Sequence, residues 1–228
     1  MKKILLTSAL VLSTMSFAQI DFSSTRFGIT AGGNYSRVKN AHNPSGPRMT
    51  FQGGVLALIP IGKENMFFLQ PEVVYYGAGE TGKDKDAKGM DGYDAVYAND
   101  YISVPINFKG YFSEAESEFF GMVGPRFNFL ISQNAKNVPG SRPYYDPDTP
   151  IKDPSTGTEI SGKANSFNFG IGLGIGYSYK RQLEITLGYD FGLSNTYPKL
   201  IESFTKSADT EKSKSEQVLS VKLSYIFE

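Results

Sequence analysis

The chain has 228 residues, with 23 basic and 23 acidic side chains, no cysteine and no tryptophan. The balanced charge disfavours a nucleic-acid-binding surface, and the lack of cysteine excludes disulfides, cysteine-ligated zinc, a cysteine nucleophile and a lipoprotein anchor. The mean hydropathy of −0.27 is too low for a bundle of membrane helices, but 24 glycines, 14 tyrosines and 17 phenylalanines suit β-strands that are apolar on one face.

The N-terminus has the pattern of a secretory signal peptide. Two lysines precede an uncharged, mostly apolar run over residues 4–17, and Ser16, Phe17 and Ala18 have the small-x-small spacing that signal peptidase reads. We therefore predict a cleaved signal over residues 1–18 and a barrel over residues 19–228. An uncleaved membrane anchor is the alternative, but the apolar run is at the short edge of what spans a bilayer.

The mature chain alternates apolar and polar side chains with period two, which is the spacing of a strand with two different faces. The clearest case is residues 167–179, where the odd positions are large and apolar or aromatic and the even positions are asparagine, glycine or serine. Eight segments show this pattern: residues 26–37, 49–60, 66–76, 99–112, 118–131, 166–179, 182–193 and 216–227.

Short connections alternate with long ones along the chain. Tight turns are predicted at residues 61–65, 113–117 and 180–181, and long polar loops at residues 38–48, 77–98, 132–165 and 194–215. An even number of long strands joined in this way is typical of an outer-membrane barrel with short turns inside and long loops outside. The predicted fold is all-β: an eight-stranded antiparallel up-and-down transmembrane β-barrel, surrounded by lipid in the bacterial outer membrane.

A soluble, exported ligand-binding barrel has the same number of strands, so the orientation of the apolar face decides between the two. The polar face is rich in glycine and carries charges, which fits the crowded interior of a narrow barrel, whereas the apolar face needs only lipid. Aromatic residues near the predicted strand ends indicate a girdle at the membrane interfaces, unless they reflect strand propensity alone: Tyr75, Tyr177, Tyr179, Tyr189, Tyr225 and Phe112.

Four segments resemble the PorT-like porin family: residues 68–76 (FLQPEVVYY), 101–109 (YISVPINFK), 121–125 (GMVGP) and 187–193 (LGYDFGL). The resemblance implies an eight-stranded outer-membrane barrel in bacteria with type IX secretion, a family in which one member is connected with secretion. It implies little about chemistry. The family often has arginine before the tyrosine of the seventh strand, where this chain has Gly188, so an ion pair of that arginine must be absent or made by another residue.

The last predicted strand resembles the C-terminal signal by which the barrel-assembly machinery recognises its clients. Residues 223–227 alternate apolar and aromatic side chains with serine and isoleucine, and Glu228 after the final aromatic departs from the commonest form. A strand that merely completes the lipid-facing alternation would have the same pattern.

Six charged residues fall on the predicted inner face of the strands. They are three acids and three bases: Glu72, Glu184, Asp190, Lys109, Arg126 and Lys222. Because side chains just fill an eight-stranded barrel, we expect these residues to pair in a lumen ion-pair network that plugs it. The alternative is a narrow porin that passes small solutes, with these charges as its selectivity elements.

Motifs for cofactors, metals and catalysis are weak. Residues 77–83 match the phosphate-binding pattern GxxxxGK, but Asp84 replaces the hydroxyl residue that holds magnesium and no helix is predicted after it. His42 is the only histidine, so a Ser-His-Asp triad would depend on one loop residue. The loop aspartates are better explained as solvated charges than as calcium ligands. We therefore predict no cofactor, no metal and no catalytic residue; a surface enzyme is the least favoured function.

The long loop over residues 132–165 is the main candidate for recognition. It holds five prolines and the pair Tyr144 and Tyr145, which indicates a semi-ordered surface loop. An exposed tyrosine pair would suit recognition of a partner or surface ligand, whereas packing across the barrel mouth is the alternative. We predict a structural or interaction role through the long loops, with a secretion or surface partner and no nucleic acid.

Overall fold

The computed structural model describes residues 22–62, 65–201 and 212–228, so the predicted signal peptide lies outside the described residues. Within these ranges the long strands are β1 (Arg26–Val38), β2 (Gly46–Ile61), β3 (Phe67–Thr81), β4 (Val96–Tyr111), β5 (Ser117–Lys136), β8 (Phe167–Tyr179), β9 (Leu183–Gly192) and β10 (Glu216–Ile226). The short strands β6 (Ile151–Lys152) and β7 (Glu159–Ile160) pair as a hairpin inside the loop between β5 and β8.

The long strands close into a single barrel. Each one is antiparallel to the next long strand in the chain, and β1 pairs with β10 from Gly28 opposite Ile226 to Val38 opposite Glu216. The predicted eight-stranded up-and-down barrel is therefore confirmed. Among the described residues, no helix has the length and apolarity needed to cross a membrane.

The two faces of the strands are oriented as the sequence pattern predicts. On β8 the side chains of Ile171, Leu173 and Ile175 are exposed on the outer face, whereas Asn168 and Ser178 are buried in the lumen. The same arrangement holds around the barrel, which carries an exposed outer belt of aliphatic and aromatic side chains. An apolar outer belt of this kind is suited to lipid, and it excludes the soluble barrel.

Four of the long strands exceed their predicted lengths by at least two residues. The β2, β3, β4 and β5 strands are extended on the side of the long loops, so the loops after β1, β3 and β5 shrink to residues 39–45, 82–95 and 137–166. Residues 77–81 of the phosphate-loop lookalike continue β3 and pair with β4. In the sequence, the glycines of this segment indicate a loop. In the structure Gly79 has φ +112°, and a Cβ at this position would lie 2.1 Å from the carbonyl oxygen of Tyr97 on β4. The glycine is required by close strand approach.

The shortest connection is a two-residue hairpin turn between β8 and β9. Both Lys180 and Arg181 have positive φ, at 54° and 52°. This is the backbone pattern of a type I′ turn, whose twist matches that of the strands it joins. The predicted tight turn at these residues is confirmed.

Two adjacent glycines of β2 test the close packing of the barrel wall. A Cβ at Gly54 would lie 2.1 Å from the carbonyl oxygen of Val73 and 2.6 Å from the Cα of Val74, whereas a Cβ at Gly53 finds its nearest atom, Thr30 O, at 3.5 Å. We expect Gly54→Val to lower the free energy of unfolding by about 1–3 kcal/mol, because backbone must move. The matched Gly53→Val should change it by about 0.5 kcal/mol or less.

The measurement is urea unfolding in detergent micelles, followed by the mobility difference between folded and unfolded bands on a gel. Equal destabilisation by the two valines would show that the strand approach at Gly54 does not limit the side chain.

Candidate functional site

The six charged residues predicted for the inner face lie in the lumen as three ion pairs. Lys109 Nζ is 2.5 Å from Glu184 Oε2, and Lys222 Nζ is 3.1 Å from Glu72 Oε2. Arg126 Nη1 contacts Asp190 Oδ2. The first two pairs join strands that are three places apart around the barrel, β4 with β9 and β3 with β10. They therefore cross the lumen and connect its opposite walls.

Neutral side chains connect two of these ion pairs. Gln70 Nε2 donates to Glu72 Oε1 at 2.8 Å, and Gln70 Oε1 accepts from Lys109 Nζ at 3.1 Å. Asn107 Nδ2 also donates to Glu72 Oε1, at 3.2 Å. Glu72 and Lys109, which are not partners of each other, thus belong to one hydrogen-bonded layer. Buried charges are tolerated when their remaining hydrogen-bonding capacity is met in this way.

The third ion pair has its own supporting contacts. Arg126 Nε donates to Ser103 Oγ at 2.9 Å, and the guanidinium carbon lies 4.3 Å from the ring centroid of Tyr76. Two small cavities, of about 20 Å³ and about 10 Å³, are both lined by Arg126 and Asp190. The larger has room for about one water molecule, and Arg126 Nη2 finds no hydrogen-bond partner in the described ranges.

Gly188 lies beside the same ion pair. Gly188 lines the same 20 Å³ cavity as Arg126 and Asp190, and a Cβ there would lie 2.8 Å from Ser220 Oγ. The guanidinium beside this part of β9 therefore comes from β5 and not from the residue before Tyr189.

An apolar cluster closes the lumen at the end with the short turns. We call it the turn-end plug, and its members are at most 3% exposed: Leu56, Leu58, Phe68, Tyr111, Phe120 and Ile226. Below it, Arg181 Nε lies 2.5 Å from Glu118 Oε1, and its guanidinium carbon is 4.5 Å from the ring centroid of Tyr111. Tyr111 OH in turn donates to Glu184 Oε1 at 2.6 Å, which connects the plug with the ion pairs.

The long loops pack on one another over the other end of the barrel. We call this apolar cluster the cap: Val38, Ala41, Ala95, Tyr97, Tyr144, Tyr145, Ile160, Ala164, Tyr197 and Leu200. Its members come from strand ends, from the loops at residues 39–45, 82–95 and 137–166, and from residues 193–201. The cap therefore has a core of its own, built from segments far apart in the chain.

The predicted exposure of the tyrosine pair is wrong. Tyr144 is 3% exposed and Tyr145 is 1% exposed, because both rings lie in the cap. Burial raises the pKa of Tyr145 and of Tyr197 above the ordinary tyrosine value. Asn99 Nδ2 lies 2.9 Å from Tyr197 OH, which joins the fourth long loop to β4. The pair thus packs across the barrel mouth, the alternative that the sequence left open.

His42 lies in the cap as well and is not a freely mobile loop residue. It is 5% exposed, its Nδ1 is 2.5 Å from Glu80 Oε1, and its ring is stacked on Tyr97 at a centroid distance of 3.5 Å. Sequence analysis missed this pair because Glu80 falls in the segment assigned to a loop. The one available signal was the period-two alternation: continued from Glu72 along β3, it places Glu80 on the inner face.

Loop aspartates make contacts that tie the loops together. Asp91 Oδ2 accepts from Ser141 Oγ at 3.2 Å, and Asp94 Oδ2 accepts from Asn137 Nδ2 at 3.1 Å. In the part of the chain that the structure describes, no three histidine or acidic side chains are grouped so that they could hold a metal ion.

Comparison with known proteins identifies a family. Residues 17–197 match the family model described as outer membrane protein beta-barrel domain. That match ends before β10, the strand that closes the barrel between β9 and β1. No curated protein matches the chain in sequence.

Solved structures of outer-membrane barrels are similar over most of the chain. The attachment invasion locus protein Ail of Yersinia pestis has 10% identity and a TM-score of 0.42, covering 89% of this chain and 98% of Ail. Neisserial surface protein A has 15% identity and a TM-score of 0.41, covering 88% and 97%. The outer membrane enzyme PagL has 8% identity and a TM-score of 0.37, covering 89% and 99%. At these values the likenesses carry nothing about function.

A double-mutant cycle tests the pairing across the lumen. Lys109→Met leaves the Glu184 carboxylate buried without its ammonium partner, so we expect a loss of about 3–5 kcal/mol in the free energy of unfolding. Adding Glu184→Gln should recover part of that loss, with a coupling energy on the order of 1–3 kcal/mol.

The matched control is Lys180→Met, which removes the exposed pair with Glu116 at 3.9 Å. Unfolding in urea should show a change of about 0.5 kcal/mol or less for this variant. Additive effects of Lys109→Met and Glu184→Gln would contradict a direct interaction.

Limited proteolysis tests the cap. Tyr145→Ala removes a ring that contacts Tyr144, Tyr97 and His42, so we expect trypsin to cut the loop at Lys152 at least tenfold faster than in the parent. The exposed Thr156→Ala, in the same loop, should leave the rate unchanged. Equal rates for the parent and Tyr145→Ala would mean that the cap does not protect this loop.

Proposed function

Because the chain belongs to the outer membrane protein beta-barrel domain family, we propose that it is a non-conducting barrel that presents a folded loop cap for interaction with a partner or ligand. The barrel itself lies in the bacterial outer membrane. The observation that carries the proposal is the filling of its lumen by side chains, from the turn-end plug through the ion pairs to the cap.

A conducting pore needs a continuous path of water, and the filled lumen argues against one. The cavities beside Arg126 measure about 20 Å³ and about 10 Å³, so each has room for about one water molecule at most. Apolar rings stand at both ends of the charged layer, at Phe120 in the plug and at Tyr97 in the cap. The polar inner face, which favours a narrow porin, is explained by charges that satisfy one another.

The cap supports an interaction role. A loop that is already folded loses little conformational entropy when it binds, so a packed cap is a better binding surface than four mobile loops. The extended ends of β3, β4 and β5 lead directly into these loops. The placement among PorT-like porins, with a secretion partner and recognition by the barrel-assembly machinery, rests on the sequence segments alone.

The surroundings of His42, the one candidate general base, argue against a surface enzyme. His42 is enclosed by Glu80, Tyr97 and Tyr145, and only a small fraction of its surface is exposed. A general base must come within hydrogen-bond reach of the proton that it removes.

Single-channel recording tests the proposal. The mature protein, folded in detergent and inserted in a planar bilayer, should give no discrete conductance steps, because the lumen holds no continuous water path. Insertion is checked independently, by the resistance of the barrel to carbonate extraction from vesicles of the same lipid.

The heat-denatured protein serves as the blank and an open porin as the positive control. Steps that the folded protein gives and the denatured protein does not would overturn the proposal in favour of the narrow porin.

A further inference from the structure

A polar groove of about 400 Å³ lies beside the cap, between the loop at residues 39–45 and the loop at residues 82–95. We call it the loop groove. Its polar lining includes Arg37, Asn40, Asn43, Ser45, Asp84 and Asp86. The volume is within the range of about 300–1,000 Å³ that small-molecule sites have.

The two walls of the loop groove are held in place. Arg37 Nη2 donates to the carbonyl oxygen of Ser45 at 3.2 Å and to its Oγ at 3.3 Å. On the other wall, Asp84 Oδ1 accepts from the backbone N–H of Asp86 at 3.2 Å. The walls meet at Gly46, where a Cβ would lie 2.6 Å from the carbonyl oxygen of Lys83. The groove is therefore preformed.

Two larger grooves on the described part of the molecule have a different character. Grooves of about 590 Å³ and 460 Å³ lie on the outer wall of the barrel and are lined by side chains such as Phe108, Leu173, Phe27 and Val55. They face the hydrocarbon of the bilayer, so lipid chains fill them without any specific ligand. The loop groove is built instead from loop residues at the far end of the barrel.

One buried side chain lies where the loop groove meets the cap. His42 belongs to its lining and to the cap, and His42 Nε2 is buried with no hydrogen-bond partner among the described residues. A buried polar atom without a partner costs free energy, and such atoms in native proteins call for an explanation. The rings of Tyr97 and Tyr145 enclose this imidazole, so the polar contacts that the groove offers to a ligand come from its other lining residues.

We propose that the loop groove binds a neutral saccharide. The proposal rests on the proposed function, since it requires the cap to face the medium, and it names the chemical class of the ligand. The lining carries one cationic side chain, Arg37, and two anionic ones, Asp84 and Asp86, so a simple cation and a simple anion each meet a charge of their own sign as well as the opposite sign. A sugar hydroxyl both donates and accepts, so neighbouring hydroxyls of one neutral ring can satisfy the carboxylates and the guanidinium together.

The remaining lining suits the apolar side of a sugar ring. Pro44 and Ala87 belong to the groove, and Met90 is 55% exposed beside it. An unbranched, adaptable methionine side chain can pack against the C–H face of a pyranose. The groove therefore combines an apolar patch with hydrogen-bonding groups of both signs.

The test is a glycan array that carries neutral, acidic and basic oligosaccharides, probed with the full mature chain folded in detergent. Binding to neutral members is expected, followed by affinity measurement with the strongest neutral oligosaccharide in titration calorimetry. Arg37→Ala and Asp86→Ala should each weaken the affinity at least tenfold. Asp148→Ala, an exposed aspartate outside the groove, should leave it unchanged.

Three outcomes would overturn the saccharide site: no neutral member bound, acidic or basic members bound in preference, or affinity unaffected by Arg37→Ala and Asp86→Ala. Gel mobility of each variant shows that the barrel has folded. Single-channel recording is carried out on the same preparation. A barrel that does not conduct and does not bind glycans refutes the saccharide site but leaves the proposed interaction role intact. A barrel that conducts refutes the proposed non-conducting role, whatever the glycan result.

Discussion

The narrow interior of an eight-stranded ring is the constraint on which the structure depends. The space inside such a ring is just wide enough for side chains, so a charge placed there has little water to solvate it. Glu72, Glu184 and Asp190 each meet one basic partner across this space. Two of these contacts join opposite walls of the barrel, so the interactions that neutralise the interior also hold the ring closed.

The same constraint explains the glycines of β8. A Cβ at Gly176 would lie 2.3 Å from Cζ of Phe120, and one at Gly174 would lie 2.8 Å from Cγ of Met122. Glycine on the inner face of β8 thus leaves room for large side chains from β5. The alternation of glycine with large apolar residues on this strand therefore meets two separate requirements. The inward positions must leave space for side chains in the lumen, and the outward positions must present an apolar surface to lipid.

Local patterns predicted most of the barrel and little of the cap. Period-two alternation fixes which residues face inward, so the six lumen charges and the strand order followed from the sequence. The cap depends on contacts between loops that are distant in the chain, such as Tyr145 with His42 and Tyr197 with Asn99, and no local period encodes them. Glycines 77 and 79 misled the strand boundaries because they signal a turn and a close strand approach equally well.

The difference between the two ends of the barrel bears directly on function. At one end β8 and β9 are joined by two residues, Lys180 and Arg181, which is all that a membrane barrel needs to reverse its chain. Ordering a residue costs about 1–2 kcal/mol of backbone conformational entropy. The long loops packed at the other end therefore carry an entropic cost that spanning the membrane does not require. The buried tyrosines of the cap offset part of that cost. Packing of the loops gives a fixed surface above a closed lumen. In our proposal this surface is the one that recognises a partner or ligand.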